Sequence, residues 1–411
     1  MTIRHRPVLA TLAAVLTAGA LVATAPAVQA ASPAPPGTTA PVPIRLSLPA
    51  PTGPHPVATT ALHLVDQHRT DLWAPTPRPR ELMVQLWYPA AGCGSSGRPR
   101  APWTGTAEQA QLESDFLGTT PGHLVWPLTH SLRDAPADRT GRRPVVLYSP
   151  GSRGDRSFGT AEAEDLASRG YVVVGIDHTF DAGEVLFPGG PDGRLEVRNT
   201  PAVHAMTDDE IVAYRTTDTR FVLDRLTDLA AGGNPDAERR ELPSGLGGAL
   251  DLTAVGILGH SMGGATAVQT LHDEPRVLAG VTLDGPVFGT AATDGLARPL
   301  LLIGASDVRP ARDAMWDALW PRLTSWRRQF TLSGSGHLSF SDFAVLLPAA
   351  RPVLTWPDEQ LDQLLGSIDG SRAVAAQRAY LAAFFDLHLR HRPTTLLDSP
   401  SPLFPEIVRR R

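Results

Sequence analysis

The chain has 411 residues, of which 42% are hydrophobic, so it is long enough for one large core with insertions. Its formal net charge of −5 gives no electrostatic basis for binding nucleic acid. It contains a single cysteine, Cys93, which excludes an internal disulfide bond and leaves packing to stabilise the fold.

The N-terminal segment has the features of a secretory signal peptide. Basic residues near the start are followed by an apolar stretch and by small residues that suit cleavage after Ala30. We therefore expect residues 1–30 to be removed and the mature protein to be secreted. Residues 31–43, rich in Pro, Ala and Thr, are predicted to be a disordered leader, and residues 44–411 a single folded domain.

Apolar runs alternate with helical patterns along the rest of the chain. The predicted strands are 81–88, 144–148, 171–176, 254–258, 278–283, 300–303 and 329–332. The predicted helices are 161–169, 207–230, 263–271 and 372–389. Strands that are apolar throughout and alternate with helices are typical of a mostly parallel sheet flanked by helices. The fold class is therefore α/β. Two loop-rich insertions, 92–142 and 179–206, are candidates for lids, and we expect the first to be irregular.

A Gly-His-Ser-Met-Gly sequence lies where a predicted strand ends and a helix begins. Ser261 is its central residue, between Gly259 and Gly263. A serine on such a tight turn adopts a strained backbone, and the two glycines remove Cβ atoms that would clash. The pattern predicts a nucleophilic serine on an α/β-hydrolase fold. The N–H of Met262, the next residue, is then expected to stabilise an oxyanion.

A serine hydroxyl needs a general base, and the base needs an orienting acid. In this fold both partners follow the serine along the chain, at later strand ends. His337 lies just past the last predicted strand and is the candidate base. Asp284 and Asp307 each follow a strand, and the residues alone permit either as the acid.

Several motifs resemble the platelet-activating factor acetylhydrolase family, and especially its secreted actinobacterial branch. They are Gly-His-Ser-Met-Gly-Gly at 259–264, Leu-Asp-Gly-Pro at 283–286, Gly-Ser-Gly-His-Leu-Ser-Phe-Ser-Asp-Phe at 334–343, Trp-Tyr-Pro at 87–89 and Leu-Tyr-Ser-Pro-Gly at 147–151. The resemblance implies an α/β-hydrolase catalytic domain with Asp284 as the acid. Cutinase-like enzymes share the first motif but place the acid one strand later, where Asp307 stands. The sequence after 147–149, Pro-Gly-Ser, resembles the cutinase version and implies Ser152 as the second oxyanion donor.

The family resemblance implies a serine esterase that removes short or oxidised acyl chains from lipids through an acyl-enzyme. No metal or other cofactor and no obligate protein partner is expected. The expected substrate is a lipid or small-molecule ester, and the protein is expected to contact a lipid–water boundary transiently. Asp177 and His178 lack a clustered ligand set, so a structural role is predicted for them. Trp316, Trp320 and Trp326 are candidates for lining an acyl pocket, for facing an interface or for ordinary packing.

Two alternatives to this function stay open at the level of sequence. One is a cutinase-like polyester or short-chain triglyceride esterase. The other is an exported binding protein that keeps the fold without the chemistry. The presence of Ser261, His337 and candidate acids argues against the second, because a degenerate site usually lacks one of these groups.

Overall fold

The structure, a computed structural model, describes residues 43–92, 95, 97–189, 193–307 and 309–411. The predicted signal peptide, the leader up to residue 42 and Cys93 lie outside the described residues. Within the described part of the chain, no helix is long and apolar enough to cross a membrane.

The described chain contains fifteen strands, eleven of which form one central sheet. The strands are β1 Ile44–Arg45, β2 Val57–Thr70, β3 Pro79–Pro89, β4 Arg100–Pro102, β5 Leu124–Val125, β6 Leu128–Arg133, β7 Arg143–Ser149, β8 Val172–Ile176, β9 Glu184–Phe187, β10 Arg194–Val197, β11 Leu250–His260, β12 Val277–Leu283, β13 Leu300–Ala305, β14 Arg327–Leu332 and β15 Ile407–Arg409. The order in the large sheet is β15-β14-β13-β12-β11-β7-β8-β3-β2-β6-β4. The six strands from β14 to β8 are mutually parallel, whereas β15, β3 and β2 run antiparallel to a neighbour. This confirms the predicted α/β class.

Helices cover both faces of the sheet. They are α1 Thr106–Gln111, α2 Thr160–Ser168, α3 Thr200–His204, α4 Asp208–Ala230, α5 Leu246–Ala249, α6 Met262–Asp273, α7 Ala291–Asp294, α8 Pro310–Leu319, α9 Phe343–Ala350, α10 Asp358–Leu365 and α11 Gly370–Leu389. In β7, Val145 and Leu147 belong to a core shared with α4 and α6, while Val146 and Tyr148 belong to a second core shared with α2 and α11. Successive side chains of a strand point to opposite faces, which is why this strand is apolar throughout.

The structure contains elements that periodicity does not predict. The segment 92–142 was expected to be irregular, and that expectation is wrong. It contains β4, α1, β5 and β6. A π-helical turn, Leu112–Phe116, directly follows α1. These elements are too short to show a period. They are held by packing, as in the parallel stacking of Trp103 on Trp126 with ring centroids 5.0 Å apart. The segment 179–206 likewise contains the antiparallel pair β9 and β10 and helix α3.

The N-terminus of α4 carries a capping box. The Thr207 hydroxyl accepts a hydrogen bond from the N–H of Glu210 at 3.3 Å, and the Glu210 carboxylate accepts from the N–H of Thr207 at 2.7 Å. This reciprocal pair satisfies two N–H groups that have no partner inside the helix. The helix that follows carries residues of the buried network described below.

Replacement of Thr207 tests the cap. Thr207→Ala removes one side of the capping box and is expected to lower the free energy of unfolding by about 1 kcal/mol. Thr217→Ala, an exposed change in the middle of the same helix, is the matched control and should leave stability equal or slightly higher, because alanine favours helix. Guanidinium unfolding followed by circular dichroism measures both, and equal midpoints for the two variants would contradict the assignment.

Candidate active site

Ser261 stands alone between a strand and a helix in a strained conformation. Strand β11 ends at His260 and helix α6 begins at Met262, so one residue makes the turn. Its φ of 54° and ψ of −125° lie where residues with a side chain are rarely found. The backbone holds it there: the Ser261 N–H donates to Leu283 O at 3.0 Å, and its carbonyl accepts from the Gly264 N–H at 2.8 Å.

The glycines on either side of this turn are required by close backbone approach. A Cβ atom on Gly259 would overlap the carbonyl of Gly263, and one on Gly263 would overlap the carbonyl of Ser149 at the end of β7. Neither obstacle is a flexible side chain, so no rotation could relieve it. The Gly-x-Ser-x-Gly pattern thus follows from the packing of α6 against β11 and β7.

Asp284 and His337 are brought together by β12 and β14, the two parallel strands on either side of β13. Asp284 follows β12 with a positive φ of 51°, and His337 opens a 3-10 turn shortly after β14. The His337 Nδ1 and Asp284 Oδ2 atoms are 2.5 Å apart. A carboxylate can only accept, so Nδ1 carries the proton and Nε2 is left as the basic nitrogen. In the described part of the chain, Nε2 has no hydrogen-bond partner.

Asp284 is only 2% exposed, and donors surround its carboxylate. Oδ1 accepts from the Ala305 N–H at 2.8 Å and pairs with Arg312, while Oδ2 lies 3.2 Å from Arg309. Burial by itself would raise the pKa of this carboxyl. The hydrogen bond to His337 and the two arginines outweigh it and hold the pKa well below its usual range. Asp284 is therefore charged at neutral pH.

Asp307, the other candidate acid, lies elsewhere. Its side chain is 35% exposed, and its two oxygens are 3.0 Å and 2.8 Å from nitrogens of Arg309. The same arginine reaches Asp284, so Asp307 contacts the buried carboxylate only through Arg309. Of the two acids that the residues left open, the structure pairs Asp284 with His337.

His260 links the nucleophile turn to the base. Its Nε2 donates to the carbonyl of His337 at 3.0 Å, and the two rings lie 4.5 Å apart between centroids. Burial first, and then the neighbouring His337, lower the pKa of His260 to about 3, so it stays neutral. Sequence reasoning missed this role, although His260 stands directly before Ser261 in the motif. It also missed Arg312, which no motif marks.

Two backbone segments next to Ser261 present N–H groups for an oxyanion. Met262 is the first residue of α6, and its N–H has no protein acceptor among the described residues. The loop after β7 passes the serine closely: a Cβ on Gly151 would lie 3.2 Å from the Ser261 Cβ. The N–H groups of Gly151 and Ser152 likewise lack an acceptor in the described chain. The Ser152 side chain itself turns to Asp181, at 2.9 Å.

The other predicted side chains have structural partners. Trp316 is buried and donates to the carbonyl of Gly285 at 2.9 Å, so it packs against the Asp284 loop. Trp326 packs on Phe384 of α11, with centroids 5.5 Å apart. Trp320 lies between two arginines. These contacts are those of ordinary packing residues.

No metal-binding cluster of three or more His, Cys, Asp or Glu side chains occurs in the described residues. Asp177 is engaged by Arg156, whose backbone N–H donates to it at 2.6 Å. His178 is buried between Ser149 and Asp218, 3.0 Å from each. Both are structural partners, as the sequence predicted.

The combined arrangement suits attack on a carbonyl group. A hydroxyl on a strained turn, an imidazole fixed through Nδ1 by a buried carboxylate, and N–H groups without acceptors are the parts needed for acyl transfer. No other pairing of histidine with a carboxylate described above adjoins such a turn.

Comparisons with known proteins show similarity to esterases. The family model of platelet-activating factor acetylhydrolase, isoform II, matches residues 44–392. A probable 1-alkyl-2-acetylglycerophosphocholine esterase of Arthroderma benhamiae is 28% identical over 89% of this chain and 94% of its own length. The platelet-activating factor acetylhydrolase of Cavia porcellus is 25% identical over 63% of each chain. A solved structure of a ferulic acid esterase from Streptomyces cinnamoneus is 38% identical with a TM-score of 0.75, and the match covers 89% of this chain and 99% of that chain.

Paired substitutions separate the two acids. Asp284→Asn is expected to lower kcat for p-nitrophenyl acetate by about 10³–10⁴-fold, because an amide cannot hold the His337 ring in the correct tautomer. Asp307→Asn should leave kcat nearly unchanged, since among the described residues the ionic partner of Asp307 is Arg309 and not His337. Steady-state kinetics on both variants, with circular dichroism as a control for folding, provide the measurement. A larger loss in Asp307→Asn would overturn the pairing.

Proposed function

This chain belongs to the platelet-activating factor acetylhydrolase, isoform II, family, and from that premise we propose that it hydrolyses short-acyl lipid esters with Ser261 as its nucleophile. It is a carboxylic ester hydrolase, in keeping with the names of its relatives and of its structural neighbour. Those relatives give no support to the non-catalytic alternative. The observation that carries the proposal is the 2.5 Å contact between His337 and Asp284 beside the nucleophile turn.

The proposed reaction proceeds through an acyl-enzyme. Ser261 Oγ attacks the ester carbonyl carbon while His337 Nε2 takes the hydroxyl proton. The carbonyl oxygen becomes an oxyanion that accepts from the Met262 N–H and from an N–H of the Gly151–Ser152 pair. The C–O bond then breaks, and the alcohol leaves with the proton from His337. Water, activated by the same imidazole, hydrolyses the acyl-enzyme and restores the serine.

Apolar side chains near the site support an apolar acyl group. Leu338, the residue after His337, packs against a cluster that includes Phe158 and Phe343, whose rings are 4.6 Å apart and edge to face. Phe158 also approaches the loop after β7, where a Cβ on Gly154 would lie 3.2 Å from its ring. These contacts place apolar side chains next to His337 and the loop after β7, which favours an apolar acyl group.

A second candidate substrate is an ester of a hydroxycinnamic acid. The ferulic acid esterase is 38% identical to this chain, more than the 28% of the fungal relative. The same aromatic cluster would suit a planar acyl group by stacking. Both candidate substrates would react with the same nucleophile. They differ in the acyl group that the site would have to bind.

Secretion is part of the proposal and rests on the first 30 residues. Their basic start, apolar stretch and small residues before Ala31 have the pattern of a cleaved signal peptide. Mass spectrometry of the protein recovered from culture medium tests this. An N-terminus at Ala31 supports it, and intact protein retained in the cells contradicts it.

Loss of the nucleophile tests the reaction. Ser261→Ala is expected to reduce the hydrolysis of p-nitrophenyl acetate to near the background rate, about a 10⁶-fold loss in kcat, as when a nucleophilic serine is removed elsewhere. Ser399→Ala, an exposed change near the C-terminus, is the control and should retain full activity. Turnover by Ser261→Ala comparable to that of the control would refute the assignment.

An acyl panel separates the two substrate classes. We expect kcat/KM for 1-alkyl-2-acetylglycerophosphocholine to exceed that for its long-chain 2-acyl analogue and that for methyl ferulate, because the proposal assigns a short-acyl lipid to the site. Release of acid, followed by pH-stat titration, compares the three esters under one set of conditions. A preference for methyl ferulate would replace the lipid proposal with the second candidate.

A further inference from the structure

A second Ser–His–Asp chain lies behind the active site. The Ser149 hydroxyl is 3.0 Å from His178 Nε2, and His178 Nδ1 is 3.0 Å from an oxygen of Asp218. All three residues are at most 1% exposed, so no ester can reach this serine. Ser149 is the last residue of β7, directly before the loop that passes Ser261. The chain is therefore placed to hold that loop rather than to react.

Arg215, a buried residue of α4, ties the same loop to the helix. One guanidinium nitrogen donates to the carbonyl of Pro150 and lies 3.2 Å from the Ser149 hydroxyl. Another donates to Asp181 Oδ2 at 3.0 Å. A buried cation requires such partners, and Asp181 supplies the opposite charge.

Asp181 holds the far end of the loop. Its Oδ1 accepts from the Ser152 hydroxyl at 2.9 Å, and its backbone carbonyl accepts from the Arg153 N–H at 3.0 Å. Arg198 also pairs with this carboxylate and lies 3.0 Å from the Ser152 hydroxyl. Arg215 and Asp181 thus hold the loop by hydrogen bonds to Pro150 and Ser152, the residues on either side of Gly151.

These hydrogen bonds set the direction of the Gly151 and Ser152 N–H groups. A peptide group is planar and trans, so its C=O and N–H point in opposite directions. Because Arg215 fixes the Pro150 carbonyl, it also fixes the N–H of Gly151. The Gly151 carbonyl accepts from the Gly154 N–H at 3.1 Å, which fixes the N–H of Ser152 in the same way.

We propose that Arg215 and Asp181 are positioning residues that aim the Gly151 and Ser152 N–H groups at the oxyanion, with the buried chain that begins at Ser149 as their support. The inference rests on the proposed function, because it requires an oxyanion at Ser261. Neither residue touches the substrate. Their effect falls on the transition state, where the negative charge develops, so kcat should change and KM should not.

The test counts active sites before measuring turnover. Wild type, Arg215→Met, Arg215→Lys and Ser152→Ala are titrated to completion with a fluorophosphonate probe, and kcat for p-nitrophenyl acetate is expressed per labelled site. Arg225→Met, a half-buried arginine of the same helix that pairs with Asp228, is the matched control. Ser152 is exposed, so its variant should fold even where loss of the buried Arg215 charge impairs folding.

We expect kcat per labelled site to fall by about 10- to 100-fold in Arg215→Met, less than the full worth of an oxyanion donor, with little change in KM. Arg215→Lys should lie between Arg215→Met and wild type, because one ammonium group cannot serve both Pro150 and Asp181 fully. Ser152→Ala should show a smaller loss in the same direction, and the control none.

An unchanged kcat per labelled site in both Arg215→Met and Ser152→Ala would overturn the proposal, whatever their melting temperatures, since a merely structural role lowers the number of sites and not their rate. Labelling of Ser149 in Ser261→Ala would also overturn it, because that serine would then be reactive. A wild-type chain that the probe does not label would instead refute the proposed function itself.

Discussion

The buried carboxylate of Asp284 is the group on which the geometry of this site depends. A charge removed from water is costly unless donors surround it, and here Arg312, Arg309, a backbone N–H and the His337 ring supply them. The His337 imidazole is thus one of the groups that stabilise this charge. The interaction keeps its Nδ1 proton directed at the Asp284 carboxylate. The orientation of the base is a consequence of burying the acid.

The order of the strands places the nucleophile next to this carboxylate. Strands β11 and β12 are parallel neighbours, so Ser261 and Asp284 leave the sheet side by side, and the serine N–H is bonded to Leu283. Both residues have positive φ angles, a conformation that costs about 1–3 kcal/mol for a residue with a side chain. The backbone hydrogen bonds that hold these two strained residues also fix the distance between Ser261 and Asp284. Helix α4 extends this rigidity to the loop after β7 through Arg215.

The sequence predicted the parallel sheet and its principal helices because continuous apolar runs and helical periods are local properties. It also predicted the serine turn, where steric need imposes glycine at 259 and 263. It left Asp284 and Asp307 open, since strand-end position alone does not reveal which carboxylate becomes buried against His337. Short elements such as β4, and the alignment of Ser149 with His178 and Asp218, depend on tertiary contacts that no local pattern encodes.

The proton between His337 and Asp284 offers the most direct test of this account. In the ¹H NMR spectrum of the protein, such a shared Nδ1 proton gives a resonance far downfield of the amide region. The account predicts a resonance of this kind that correlates with the His337 ring in ¹⁵N-labelled protein, is lost in Asp284→Asn and is retained in Asp307→Asn. A His337 resonance that persists in Asp284→Asn and vanishes in Asp307→Asn would contradict it.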